Sequence, residues 1–245
     1  MLATPSAEPP AALPASRPRT PLPRPLAPVL LALIAALVAA GCGNTVSRVN
    51  APVLTVVTSL YPLAQAVEEV GGSQVRVIDL ARPGVDPRTM TLNRGERREI
   101  RRAALVVDIG RGFQPSVEAA AEGARRNLAL LPALGGTNPY IWLDPALMEK
   151  AATLIRTALT GAEPAARSVF TTGALDLVSE ASSLDIDFQN SLAVCPDSTF
   201  VTSDDAFARM AARYGLTDHA VGTTAQPDTA QVEAATSAIT ASRSV

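Results

Sequence analysis

The chain has 245 residues, of which 47% are hydrophobic, 18% charged and 4% aromatic, with a formal net charge of −2. That apolar share at that length gives one or two domains with a sizeable core and excludes wholesale disorder. The near balance of 21 Lys and Arg against 23 Asp and Glu leaves no positive surplus for phosphates, which argues against nucleic acid as a partner, and the single histidine, His219, excludes a multi-histidine metal site.

Residues 1–28 hold nine of the 20 prolines, together with Arg17, Arg19 and Arg24. Each proline removes a backbone donor and clashes with a preceding helical turn, so this stretch reads as a basic, unstructured lead. Residues 29–40 (VLLALIAALVAA) follow as 12 uncharged apolar residues, short of the roughly 20 needed to span a bilayer as a helix. A basic lead and a short apolar run predict a secretory signal over 1–41. The run closes on Ala39, Ala40 and Gly41 directly before Cys42, which resembles the bacterial lipoprotein signal and implies lipid on Cys42 as the first mature residue. With Cys42 lipidated, no disulfide is expected within the chain. Cys195 is expected to be a small buried hydrophobe, since no histidine lies near it in sequence to activate it.

After a tether over 42–52, the sequence alternates strand-like and helix-like segments. Residues 53–58 (VLTVVT) read as a strand, 61–70 as a helix, 75–80 as a strand, 94–103 as a charged helix and 104–109 (ALVVDI) as a third strand. Near-continuous apolar strands separated by helices predict a parallel sheet covered on both faces. Two helices without an intervening strand are expected next. Leu147, Ala151, Leu154 and Ala158 make one helical stripe, and Leu177, Ala181, Leu184, Phe188 and Leu192 make a second, read as an amphipathic helix packed on the core.

Alternation then resumes with a strand at 199–202, a helix at 206–214, a strand at 220–221 and a helix at 230–239. The expected fold class is α/β, with two lobes and a long linking helix. An N-terminal lobe over 53–145 and a linker over 146–194 would precede a partial C-terminal lobe over 195–245. That last stretch is too short to complete a doubly wound sheet, because each βαβ unit takes about 30 residues or more.

Few catalytic motifs survive inspection. Gly110 and Gly112 follow a strand, but Pro115 stands where a dinucleotide fingerprint needs its third glycine, so a turn is expected. There is no P-loop, no His-Glu-x-x-His, no Cys-x-x-Cys and no Gly-x-Ser-x-Gly. His219 is read as a solvated loop residue, and nothing supports a histidine-based triad or any other enzymatic constellation.

Four ordered segments carry a family resemblance: 57–63 (VTSLYPL), 83–87 (PGVDP), 139–145 (PYIWLDP) and 202–207 (TSDDAF), the last continuing to Tyr214, Gly215 and Leu216. Together they resemble the substrate-binding lipoproteins of zinc and manganese ABC importers. The resemblance implies a binding protein in two lobes, held outside the cytoplasm by a lipid anchor in the membrane and delivering zinc or manganese to an ABC permease. It also places the family's three metal-binding histidines at Arg88, Tyr140 and Asp204 of this chain.

Those three residues depart from the pattern. Zinc sites draw on Cys, His, Asp and Glu. A guanidinium stays protonated and repels a cation, and a phenol titrates near 10, so only Asp204 is an ordinary ligand. The family's fourth ligand, an acidic residue late in the second lobe, has no counterpart. Asp86, Asp204 and Asp205 could offer oxygens to Mn²⁺ or Ca²⁺, but Arg88 would share their space. Asp205 is also placed to favour the first turn of the following helix, and Asp144 before Pro145 reads as a helix N-cap. The expectation is degenerate or weak binding of zinc or manganese. Two other readings stay open at this point: a surface-tethered interaction protein that transports nothing, and a frameshifted fragment without a stable product.

Overall fold

The first strand, β1 (Leu54–Thr58), sets the architecture. Val56 and Val57 project to opposite faces of it, and both have no exposed surface. A strand buried on both sides needs a layer of helices on each, which is why its sequence runs apolar without alternating. The computed structural model describes residues 53–195, 198–222 and 228–242, all within one compact unit spanning Val49–Val245. Cys42 and the signal-like segment before it lie outside the described residues.

β1 pairs in parallel with β2 (Val75–Asp79) on one side and β3 (Leu105–Asp108) on the other, and β3 pairs with β4 (Asn127–Ala129). The order is β2-β1-β3-β4. β4 was not expected from the sequence. It has only three residues after two arginines, too few to show any periodicity, and its neighbour β3 is what makes it a strand.

Helix α1 (Tyr61–Gly71) begins with a proline in its first turn and buries Leu63, Ala66, Val67 and Val70, the i, i+3, i+4, i+7 face. Helix α2 (Arg94–Arg102) opens on a capping box: the Asn93 side chain accepts from Gly95 N and Glu96 N, and Glu96 accepts from Asn93 N. Short helices α3 (Pro115–Ala121) and α4 (Leu130–Leu134) follow β3 and β4. On the Val57 face, Ile100 of α2 and Val117 of α3 complete one core.

The Val56 face carries the larger core, closed by α1, α5 (Pro145–Ala162) and α6 (Arg167–Leu192). In α5 the buried face runs through Leu147, Ala151, Ala152, Ile155 and Leu159, while Leu154 and Ala158 are only partly covered. α6 crosses α1 closely. A Cβ on Gly173 would lie 2.3 Å from the Glu69 carbonyl oxygen, so only glycine permits this approach.

Of the expected stripe of α6, Ala181 is buried and Leu177, Phe188 and Leu192 are partly buried, while Phe170 and Ala174, ahead of the stripe, are buried as well. The stripe fails at Leu184, which is 48% exposed. The 26 residues of α6 reach about 39 Å, and beyond Ala181 the helix outruns the four-stranded sheet.

Beyond α6 lie β5 (Thr199–Thr202), α7 (Ala208–Tyr214), β6 (Thr217–Ala220) and α8 (Thr229–Ser242). β5 and β6 pair in parallel, from Thr199 with Thr217 to Thr202 with Ala220. Three expectations are corrected here. The strand read at 220–221 lies three residues earlier, because the αL turn at Gly215 returns the chain at once to β5. His219 therefore sits within β6, exposed and in register with Val201, rather than in a loop. Cys195 is exposed rather than buried, since it follows the end of α6 where no core covers the chain.

Candidate functional site

Each strand of a parallel sheet ends its carboxyl side at one edge, and the loops there are where open α/β sheets hold ligands. The loop after β2 carries Asp86 and Arg88, the loop after β3 carries Phe113 and Gln114, and the segment after α4 carries Tyr140. Asp204 follows the carboxyl end of β5. The topology thus brings Asp86, Arg88, Phe113, Gln114 and Tyr140 to the carboxyl edge of the first sheet, while Asp204, 118 positions after Asp86, follows a strand of the second.

Arg88 is the centre of the group. Its backbone N and its Nε donate to Asp86 Oδ1 at 2.9 and 3.1 Å, and its Nη2 donates to Asp86 Oδ2 at 3.1 Å. Its Nη1 makes a long hydrogen bond, 3.4 Å, to the Tyr140 hydroxyl. The bond from Arg88 holds the Asp86 carboxyl below its usual range, and the same bond pushes the guanidinium upward. Asp204 lies near enough for its charge to act on both Arg88 and Tyr140. Burial raises the Tyr140 phenol; Arg88 opposes that rise, and Asp204, Asp205 and Asp86 add to it.

Tyr140 is also fixed by rings. It meets Trp142 at 5.4 Å and Phe113 at 5.8 Å between centroids, both edge to face. Asn138 accepts from Tyr140 N at 2.9 Å. Beneath the loop of Arg88, Gln114 Nε2 donates to the Ser59 carbonyl at 3.1 Å and lies 3.5 Å from the Pro87 carbonyl. Gln114 Oε1, the Ser59 hydroxyl and both oxygens of Asp108 are buried without hydrogen-bond partners.

The turn expected at Gly110 to Gly112 is present, with Gly110, Arg111 and Gly112 all at positive φ. Glu118 closes it by accepting from Gly112 N and Gln114 N at 2.8 and 2.9 Å.

Asp204 has a second duty. Its Oδ1 accepts from Ala206 N at 3.1 Å, capping the turn that leads into α7. Asp205, the residue read as favouring that first turn, does lie in it, while the cap itself is Asp204. Asp144 caps α5 as expected, accepting from Ala146 N at 3.1 Å with Pro145 in the first turn.

A joint missed in the sequence forms here. Asp144 Oδ2 also accepts from Arg209 Nε of α7 at 2.7 Å, and its Oδ1 lies 3.7 Å from Arg213 Nε. Arg213 in turn forks onto Asp185 of α6, whose carboxylate also accepts from the Tyr214 hydroxyl. No local motif announces pairs 65 and 28 residues apart. The only hint is the pair of arginines, Arg209 and Arg213, one turn apart on a short helix.

The donor set does not make an ordinary metal centre. Asp86 spends both oxygens on Arg88, one oxygen of Asp204 caps a turn, and among the described residues no group of three His, Cys, Asp or Glu side chains is gathered to hold an ion. Among those residues, too, no helix is long and apolar enough to cross a membrane.

Residues 56–244 match the family model of ZnuA, the periplasmic component A of the zinc-uptake complex. The chain belongs to this family. The ZnuA family is one of substrate-binding proteins and not of enzymes. The manganese-binding lipoprotein MntA of Bacillus subtilis is 27% identical over 194 residues, an alignment covering 72% of this chain and 63% of that protein. The chain thus spans less than two thirds of that relative.

Among solved structures, the Zn(II)-bound ZnuA-like domain of Streptococcus pneumoniae AdcA superposes with a TM-score of 0.67 at 23% identity, covering 78% of this chain and 76% of that one. The AdcAII protein of the same organism superposes with a TM-score of 0.70 at 20% identity, covering 78% and 79%. At those identities the likeness establishes the fold: the α/β class expected from the sequence, with parallel strands and helices as in ZnuA-like structures.

Proposed function

We propose that this chain is an extracytoplasmic solute-binding lipoprotein of the zinc and manganese ABC importer type, anchored through Cys42, whose metal binding is weak. We assign its lobes to 53–145 and 195–245, joined by 146–194, with an ABC permease as the membrane partner. What supports the reading is that Arg88 and Tyr140, which the resemblance assigns to two of the family's histidine positions, meet through a hydrogen bond, with the charge of Asp204, assigned to the third, acting on both.

The scaffold of a ligand site is therefore kept while its chemistry is changed. Neutral imidazoles bind zinc because they lend a lone pair without carrying charge. Arg88 brings a fixed positive charge instead, and Tyr140 brings a phenol held above its ordinary titration range by burial. Asp204 is the one ordinary ligand left, and zinc or manganese held by it and water is expected to bind no tighter than micromolar.

The anchor follows from the signal-like sequence, in which the apolar run is too short to span. A lipid with two chains holds a protein on a membrane where one chain gives only marginal binding. Mass spectrometry of the chain isolated from its own membranes tests both parts together. The reading expects diacylglycerol-modified Cys42 and much less than one zinc or manganese per chain. An unmodified Cys42, or a metal retained one to one, overturns it.

A further inference from the structure

We propose that the Arg88 guanidinium is a tethered cation that does the structural work of a metal ion at this site, holding Asp86 and Tyr140 together so that the site is set without a bound metal. This rests on the reading of Arg88, Tyr140 and Asp204 as the ligand positions of a solute-binding protein.

The geometry is that of a filled site. Two guanidinium nitrogens of Arg88 take up both oxygens of Asp86, and the third reaches the Tyr140 hydroxyl. The side chain of Arg88 keeps only 29% of its surface exposed, and that of Asp86 35%. A guanidinium suits the role because it is planar, remains charged at every physiological pH and sheds water more readily than an ammonium. The acids at the site are Asp86, Asp204 and Asp205, and Arg88 supplies the positive charge that acts among them.

The other half of the site is held at its distance by a separate strut. Arg209 lies five residues after Asp204 and bonds Asp144, four residues after Tyr140. The α7 segment is thereby fixed against the segment of Tyr140 whether or not an ion is present. Arg88 then removes the reason for an ion: an added divalent cation would meet a positive charge already seated among its potential ligands.

Replacing Arg88 tests this on the mature full chain. Arg88→Met keeps the length and apolar stem and removes the charge, while Arg88→Lys keeps a charge and loses the fork. Hydrogen exchange followed by mass spectrometry should show residues 83–89 and 138–142 exchanging about tenfold faster in Arg88→Met, with the strands of the first sheet unchanged. Arg88→Lys should fall between Arg88→Met and the parent.

Millimolar methylguanidinium should restore protection in Arg88→Met where sodium chloride of equal ionic strength does not, an effect that lost packing alone would not produce. Exchange in Arg88→Met equal to the parent, or methylguanidinium no better than sodium chloride, overturns the proposal. If Arg88→Met does not fold, the Lys variant and the parent decide. Arg88→Lys indistinguishable from the parent overturns the proposal, as does protection of 199–207 in the parent by added Zn²⁺ or Mn²⁺. Tight metal binding by the parent overturns the weak-binding reading as well, whereas a silent Arg88→Met overturns the tethered cation alone.

Discussion

Asp108 ends β3 with no exposed surface, and neither of its carboxylate oxygens meets a hydrogen-bond partner. Burial pushes its pKa up to about 6; the nearby Asn127 amide, outside ordinary hydrogen-bond geometry, offsets part of this, and the charge of Glu118 adds to it. Because the folded value lies above the unfolded one of about 3.9, the folded state favours the protonated acid. Stability from this group is complete below the unfolded value and is lost as pH rises through about 6. At about 1.4 kcal/mol per unit, the parent should lose about 2–3 kcal/mol between pH 4 and pH 7.5 that Asp108→Asn does not lose, as read by denaturant unfolding at each pH. Equal pH profiles for parent and variant would show that Asp108 ionises as freely folded as unfolded. Residues of this kind are poorly legible in sequence. Arg88, Tyr140 and Asp204 were singled out because their segments resemble a family, whereas Gln114 and Asp108 owe their environment to strands and loops from elsewhere in the chain.

Among elements, Asp144 joins two that the sequence separates. One oxygen caps α5 and the other receives Arg209 of α7, while the carboxyl side chain is only 5% exposed. Losing the cap costs about 1 kcal/mol and losing a charge-assisted bond about 1.5–3 kcal/mol. Asp144→Ala should therefore destabilise by about 3 kcal/mol, and Asp144→Asn, which can still cap, by about half as much in chemical denaturation. Equal losses in the two variants would mean that the cap contributes nothing, and an Asp144→Asn variant as stable as the parent would mean that Arg209 contributes nothing. The cap was legible because Asp-Pro before an apolar helix is a local signal; the bond to Arg209 was not, because it depends on how α7 packs. Strands β1, β2, β3 and β5 were legible for the same local reason, being runs of β-branched and apolar residues. β4 and β6 were not, since β4 has three residues and β6 reads Thr-Asp-His-Ala, and both are strands only because a partner pairs with them.

At the scale of the molecule, burial is uneven. The four-stranded sheet has two cores, while Ala206 and Ala211 are the apolar side chains buried among the described residues beyond Cys195. Burying a Val- or Leu-sized side chain is worth roughly 1.5–3 kcal/mol, and few of them stabilise β5 and β6. Native-state hydrogen exchange should show amides of 199–220 opening well below the free energy that opens β1 and β3; protection equal in the two sheets would contradict this. The fold class was legible in the alternation of segments, whereas the strand order was not, and the weakness of the second sheet depends on which side chains find cover. At the positions that the resemblance assigns to the family's three histidines, Arg88 and Tyr140 are not ordinary metal ligands and only Asp204 is. Isothermal titration of Zn²⁺ into the metal-stripped mature chain should therefore give a dissociation constant in the micromolar range or weaker, and saturation at one zinc per chain with nanomolar affinity would contradict this.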